Sequence, residues 1–527
     1  MLCSVRRAAA LVVAPALATL ALMAVPSQAT AAEPSPSGSA ATWLAGQVPA
    51  AGLFPGSFGP DYGLSIDVAL GLDTAGTGAA TVTKIRDALA ADVNGYIAYS
   101  YTDDSGDHEG QSGGSTAKAL VLAKATDTDR RAFGGVDLVN RLESLISADG
   151  RVISTFDGAP DPSYDNTYIQ TLAIEGLNGT VNTSHTKLVA YLLGQQCAGG
   201  YFRGDIPDAP GIPLCSGDTP DTDATAQAVI ALLGETAPAT VAARALAVQW
   251  LVGAQKPDGS FVGGTGTETA NANSTGLAAR ALQLAGRTDA AAKAALWLRA
   301  HQVIAVAGCY PAVAADTGAV TYDDAALALA KAGPMNAGLI GQSIRTTAQA
   351  LPGLLAARAG TGTNVLFTSE YVRAGSTPSV GVTGAAPGDK LCATTPDGQQ
   401  LAAMADANGE ATFPVKLGTA TATTVVTVAN AAGVAGTATI KALGAKKLGI
   451  TTKAKVRKGK TVKVIVRGLA PAESVVVKIG GKKKVGQATS KGRFVAKVKA
   501  KKRGKTKVVV RGQFANRKAT KTVRVVR

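Results

Sequence analysis

The sequence predicts a multidomain chain, with a double ring of helical hairpins followed by two all-β sandwiches. Three observations predict it. A small-residue segment of helical period returns at nearly even spacing through residues 41–360. At about residue 360 the apolar periodicity changes from 3.6 to 2. A second repeat, offset by 84 residues, then runs through the remainder. Repeats of this kind outrank any single motif as evidence of architecture.

The clearest helical copy is Asp221-Thr222-Asp223-Ala224-Thr225-Ala226 and the apolar run behind it. Sliding the chain against itself aligns Ser65, Thr116, Thr167, Thr225, Thr275 and Ala325, with steps of 51, 51, 58, 50 and 50 residues. A polar residue in front of an apolar run marks a helix N-terminus. Alternating with these runs is a second family, in which Trp43-Leu44, Tyr191-Leu192, Trp250-Leu251 and Trp297-Leu298 precede Gln47, Gln195 and Gln196, Gln255, and Gln302. Glycine turns follow several of them, as in Lys256-Pro257-Asp258-Gly259-Ser260-Phe261; Asn94-Gly95 and Asp149-Gly150 fill the same slot elsewhere. Six such units of about 50 residues, with every second helix small and apolar, close into inner and outer rings of helices.

The N-terminus reads as a secretory leader, residues 1–31: Arg6 and Arg7, an apolar run from Ala8 to Val25, then Ala29-Thr30-Ala31 as the cleavage site. Pro15 and Pro26 interrupt the run, and no later apolar span is long enough to cross a membrane. Residues 32–40 read as a linker. In an oxidising exterior Cys197 and Cys215 are expected to pair, stapling the insertion that lengthens one repeat to 58 residues. Cys309 and Cys392 fall in different domains and are left unassigned. No metal is expected, because His108, His185 and His301 have no ligand spacing. No cofactor is expected either.

Val372-Arg373-Ala374-Gly375 matches Val456-Arg457-Lys458-Gly459, and Gly384-Ala385-Ala386-Pro387 matches Gly468-Leu469-Ala470-Pro471. This pattern of short strands between turns predicts two sandwiches, 361–445 and 446–527. The formal net charge of +16 is unevenly distributed. Residues 446–527 hold 28 Lys and Arg against one acid, Glu473, which is +27 and leaves −11 elsewhere. Lys482, Lys483 and Lys484 form one cluster, and Lys501, Lys502 and Arg503 mark a second. Lysine on strand edges blunts aggregation, but a balance of +27 exceeds that need. Anionic cell-envelope polymers are the expected partner, with retention there by charge. Specific nucleic-acid recognition is not expected, since Phe494 and Phe514 are the only aromatics in the module.

The hairpins, with their Asp-Gly-Ser-Phe turn and Asp-x-Asp-x-Thr-Ala helix start, resemble the α/α-toroid superfamily. Its members include squalene–hopene-type terpenoid cyclases, protein prenyltransferase β subunits, thioester domains and cobalamin carriers. The resemblance covers residues 41–360; the two sandwiches resemble bacterial Ig-like repeats. It implies an α6/α6 toroid and, on the class II cyclase motif Asp-x-Asp-Asp-Thr-Ala, Asp223 as a proton-donating acid with Asp221 as its neighbour. The last acid of that motif is Ala224 here. A carbocation needs aromatic walls, whereas the three Trp lie in outer-type segments. Plain N-capping also accounts for Asp221, Asp223 and Thr225. The prenyltransferase zinc site and the thioester Cys-Gly-Glu-Gln are missing. The residues therefore favour a non-catalytic binding role for a small molecule or peptide, on a cobalamin-carrier-like plan, with Thr225, Asp165, Asp323 and Asp324 as ligand-binding candidates. The alternatives are a class II cyclase and a structural wall or adhesion protein.

Overall fold

The computed structural model describes residues 35–527 apart from 163–164, 218 and 311–313. The expected leader lies outside the described residues. The described N-terminal part carries α1 (Pro36–Gln47), α2 (Tyr62–Thr74), α3 (Ala79–Ala91), α4 (Val93–Ile97), α5 (Gly113–Ala125), α6 (Leu138–Ser144) and α7 (Thr167–Leu177). It continues through α8 (His185–Gly194), α9 (Thr222–Ala231), α10 (Pro238–Ala254), α11 (Ala272–Leu284), α12 (Thr288–Ala300), α13 (Asp324–Ala332) and α14 (Ala337–Leu354).

Helices α2, α5, α7, α9, α11 and α14 each pack on the next, and α14 returns to α2, so the cycle is closed. Small residues make this possible. A Cβ on Gly276 of α11 would lie 2.6 Å from the Cα of Ala350 on α14, so the backbones touch there. The remaining long helices pack outside this cycle and share one apolar core with it.

At five of the six inner helices, a turn entering the cycle hands a backbone N–H to a side chain of the inner helix. Phe54 donates to Ser65 Oγ at 3.0 Å, Phe202 to Thr225 Oγ1 at 2.9 Å, and Phe261 to Thr275 Oγ1 at 3.0 Å. These contacts correct the sequence register at two places. In the third unit the acceptor is Gln170, reached by Val152 N at 3.1 Å, rather than Thr167. In the sixth it is Thr347 on α14, reached by Val320 N at 2.9 Å, rather than Ala325. The segment around Ala325 forms α13, which stands outside the cycle because α14 fills the sixth place.

The outer glutamines hold the turns. Gln255 Nε2 donates to Gly259 O at 3.1 Å and to Ala290 O of the next outer helix at 2.9 Å. Gly259 has φ +99°, and a Cβ there would sit 2.3 Å from Lys293 O, so only glycine serves. Gln302 makes the corresponding bond to Pro36 O at 2.8 Å. The linker expected over 32–40 therefore needs correction: residues 36–40 are helical and close the outer layer. Ser35 caps α1 by accepting from Gly38 N at 3.0 Å, and Pro36 at the first helical position suits that start. Asn94-Gly95, expected as a turn, lies inside α4.

The C-terminal part is strand-rich. Gln400–Met404, Lys390–Thr394, Ala422–Asn430, Gly433–Leu443 and Val372–Arg373 form one sheet, in that order; Ala411–Pro414, Ser379–Thr383 and Asn364–Leu366 form another. Their inner faces share a core built on Val380, Leu391, Phe413, Val426 and Ile440. A second pair of sheets follows. The larger runs Lys446–Lys447, Arg517–Val526, Gly504–Arg511, Ser474–Ile479, Lys482–Gln487, with Lys455–Arg457 on the Arg517–Val526 strand. The smaller runs Gly449–Thr451, Thr461–Arg467, Arg493–Lys499, and the two enclose a valine-rich core.

Two disulfides are formed. Cys197 pairs with Cys215, and Cys309 pairs with Cys392, tying the helical part to the first strand-rich unit. Arg299 of α12 reinforces this junction through an ion pair with Asp389. No described helix is long and apolar enough to cross a membrane.

Candidate functional site

The N-termini of α7, α9 and α11 meet at one mouth of the cycle. Asp221 caps α9: its Oδ1 accepts from Ala224 N at 2.9 Å. Its Oδ2 accepts from the Tyr168 hydroxyl of α7 at 2.5 Å. Equivalent caps are Asp61, Ser112 and Asn271, each four residues ahead of the aligned Ser65, Thr116 and Thr275, and Asn166, one residue ahead of Thr167. Capping is therefore Asp221's structural task, and the bond from Tyr168 is an addition to it. Burial and the two nearby carboxylates Asp221 and Asp223 push the Tyr168 phenol up, so it stays a donor.

Asp223 differs from Asp221. It is the second residue of α9, with Oδ1 closed off from solvent and no ordinary hydrogen bond on that atom. Burial pushes its carboxyl up to about 7; Ser274 of α11 opposes the shift, and the Asp221 charge adds to it. A carboxyl at that value holds a proton for much of the time at neutral pH and can donate a hydrogen bond. Gly204 and Gly264 roof the pair: a Cβ on either would lie 2.6 or 2.1 Å from Asp221 Oδ2. Tyr168, Ser274 and these two glycines are absent from the sequence reading. Only the glycines left a visible trace, in Arg203-Gly204 and Gly263-Gly264 ahead of the helix starts.

The other sequence candidates are dispersed. Thr225 is fully buried, donates to Asp221 O at 2.6 Å and accepts from Phe202 N, which occupies its hydroxyl. Asp165 is buried in an ion pair with Arg151, 2.8 Å away; burial pushes it up to about 6 against the pull of that guanidinium. Asp323 caps α13 through Ala326 N at 2.8 Å. Asp324 is exposed and reaches His301 at 3.0 Å. The structure brings Asp221 and Asp223 together and leaves Asp165, Asp323 and Asp324 in separate roles.

Along the inner helices, Asp67, Lys118, Glu175 and Gln227 are each partly accessible between buried sequence neighbours. So are Leu70, Val121, Leu172, Ile230 and Leu277, and this face is therefore mixed polar and apolar. Lys118 pairs with Asp67 at 2.7 Å, and Thr171 donates to Gln227 at 3.1 Å. Burial pushes Glu175 up to about 7, opposed by Lys124. All three tryptophans, Trp43, Trp250 and Trp297, lie on outer helices. Among the described residues no group of three or more His, Cys, Asp or Glu is placed to hold a metal.

The terminal unit presents the second candidate surface. Its one acid, Glu473, is fully buried against Arg517, with both guanidinium contacts at 2.7 Å. No carboxylate of the unit remains to answer the exposed bases. Like charges stand directly opposite one another: Lys463 and Lys497, Arg467 and Arg493, Lys478 and Lys483, Lys505 and Arg524, Arg511 and Lys518. Such pairs destabilise a sheet. Lys482, Lys483 and Lys484 lie exposed on an edge strand, and Lys501, Lys502 and Arg503 are exposed in the turn before Gly504–Arg511.

No family model matches the chain, and no curated protein matches it. Solved structures do. The type II terpene cyclase MstE from Scytonema is 16% identical over 61% of this chain and 96% of that one, with a TM-score of 0.42. The Yersinia pseudotuberculosis adhesin InvE is 17% identical over 31% and 58%, with a TM-score of 0.17. A Ca2+-stabilised adhesin with which an Antarctic bacterium binds ice is 22% identical over 32% and 48%, also with a TM-score of 0.17. At such values the likenesses say nothing about function, and the residues themselves must decide.

Proposed function

We propose that this is an exported binding protein, held on anionic cell-envelope polymers by a terminal Ig-like unit and offering an α/α toroid as its receptor part. One observation carries the reading: a +27 surface with like charges paired across strands and its one acid buried. A fold keeps mutually repelling neighbours at a cost, and a polyanion bound across them removes it. The two disulfides fit an oxidising exterior. The inner helices offer an Asp67–Lys118 pair and a Thr171–Gln227 bond beside aliphatic side chains, which suits a small molecule or peptide. The three tryptophans, which could wall in a carbocation, lie on outer helices.

The test is sedimentation of the full chain with envelope fragments, beside a variant in which Lys482, Lys483, Lys484, Lys501, Lys502 and Arg503 are all replaced by Gln. The native chain is expected in the pellet at low salt and the variant largely in the supernatant. Equal pelleting would refute retention by charge.

A second reading has its own support. Asp223 is a buried carboxyl, its pKa raised by that burial, beside Asp221 and Tyr168, a placement that a class II cyclase would use for its acid. Turnover of a polyprenyl substrate that Asp223→Asn abolishes would establish it and displace the binding role.

A further inference from the structure

Between α4 and α7 the chain builds a small antiparallel sheet that periodicity did not announce. Its strands are Ala98–Asp103, Gly106–Gln111, Ser154–Phe156 and Ala159–Asp161, paired in that order. The second strand runs into Ser112, the cap of α5, and the fourth leads towards Asn166, the cap of α7. The sheet therefore stands at the same mouth as Asp221 and Asp223.

Its register sets Tyr99 opposite Gly110, Tyr101 opposite His108, and Phe156 opposite Gly110 on the other side. Residues paired across strands share a face, so four rings rise from one side of the sheet. Tyr101 and His108 lie 5.0 Å apart, tilted by 35°, and the other three pairs are nearer parallel. Tyr99 and Phe156 lie 6.5 Å apart at 20°, Tyr101 and Phe156 6.3 Å apart at 23°, and His108 and Phe156 5.3 Å apart at 17°. The platform is held in place. Tyr99 lies flat on Gly110, where a Cβ would come within 2.0 Å of the ring. His108 is fixed through Nδ1 by Asp157, at 2.7 Å, and its Nε2 lies 3.2 Å from Asp103. Even so, Tyr99 and Tyr101 keep 44% and 48% of their surface exposed. Rings of this size ordinarily contribute by burying their area; these are fixed flat and left facing water.

Beside the platform is a groove of about 610 Å³, whose walls include Tyr99, Tyr101 and Phe156 together with Ser112, Ser115 and Asp161. Asp103 and Asp157, the two carboxylates that contact His108 on this face, stand exposed. Each feature narrows the ligand. Exposed carboxylates repel nucleic acids and acidic glycans. The rings stand side by side on one face of a sheet, whereas a quaternary ammonium ion is held by rings that surround it.

We infer that this groove binds an oligosaccharide of uncharged or amino-bearing sugars. The C–H face of a pyranose ring lies on Tyr99, Tyr101 and Phe156, and its hydroxyls bond to Ser112, Ser115 and Asp161. The site is separate from the basic unit, so it does not depend on retention by charge.

Titration calorimetry of the full chain tests it, in 0.5 M salt so that the basic surface is screened. The probes are cellohexaose, xylohexaose, N-acetylchitohexaose and its deacetylated form. Saturable binding of at least one probe is expected. Loss of one stacked ring in Tyr101→Ala or Tyr99→Ala should weaken it ~10-fold or more, while Tyr101→Phe, which keeps the ring, should stay within ~3-fold. Replacing Lys482, Lys483 and Lys484 by Gln should change nothing. Because Tyr101 is exposed, an unaltered melting curve for Tyr101→Ala separates lost binding from lost fold. Absence of saturable binding to all four probes overturns the proposal. So does binding that Tyr101→Ala leaves unchanged.

Discussion

The two strand-rich units are built on one plan and put to opposite uses. Asp389 of the first and Glu473 of the second stand 84 residues apart, and each accepts the backbone N–H of the residue three positions before it, Ala386 or Ala470. Beyond that shared bond they diverge. Asp389 pairs with Arg299 of the helical part, so the acid fastens its unit to its neighbour. Glu473 pairs with Arg517 of its own unit and is closed inside it. The first unit holds 4 bases and 5 acids and is tied to the helices by Cys309–Cys392; the second holds 28 bases and 1 acid. The second unit touches the first through Tyr371, whose hydroxyl donates to Pro471 O at 2.8 Å. One strand-rich unit is a bracket. The other is a charged surface carried at the end of it.

Four experiments break or sharpen that contrast. Replacing Cys309 and Cys392 together by Ser should have the largest effect. Opening a bridge between residues 83 apart costs about 4.5 kcal/mol on chain-entropy grounds. Calorimetry should show the first strand-rich unit melting earlier, and proteolysis should cut between it and the helices. Next, Glu473→Ala strands Arg517 in the core and should cost about 3–5 kcal/mol, confined to the second strand-rich unit. Asp389→Ala should instead loosen the junction with α12. If the two variants destabilise the same unit, the bracket-and-surface contrast is wrong. Third, replacing Lys482, Lys483, Lys484, Lys501, Lys502 and Arg503 by Gln should weaken polyanion affinity at least ~10-fold at low salt, about 1.4 kcal/mol. It should leave stability equal or higher, because repulsion is relieved.

The smallest effect concerns pH. The Asp223 carboxyl sits near 7 in the fold, above its ordinary range, so the folded state keeps a proton that the unfolded chain releases. Its stabilising share is complete at pH below about 4 and is lost as pH rises through about 7. Glu175 near 7 and Asp165 near 6 act in the same direction. Asp223→Asn should flatten the decline by on the order of 1 kcal/mol between pH 5 and 8, allowing for water at its open side. Melting curves over that range decide it, and a slope identical to the native one would contradict the burial assigned to Asp223.

Much of this was legible in the sequence. The alternation of helices, the turn-holding glutamines, the 84-residue repeat and the Cys197–Cys215 pair follow from spacing and residue type. The sixth inner helix was not legible, because Thr347 lies well inside α14 and no polar start marks it at the repeat period. Gln170 hid for a related reason: a longer side chain does the hydroxyl's work from another position. Cys309–Cys392 joins two units whose docking no local pattern encodes. At the candidate site, Asp221 and Asp223 were visible as a motif. Tyr168 and Ser274 reach it from neighbouring helices, and only the closed ring brings them there. The aromatic sheet was missed because its strands are short and rich in Asp, Gly and Ser, a composition that reads as turn.

The most direct test of the central claim is a salt titration of the full chain binding to poly(glycerol phosphate). If exposed lysines and arginines meet phosphates, log affinity should fall linearly with log salt, with a slope steeper than about −3, as counterions are released. An affinity that barely changes from 50 to 500 mM salt would contradict retention by charge and leave the +27 surface without a role.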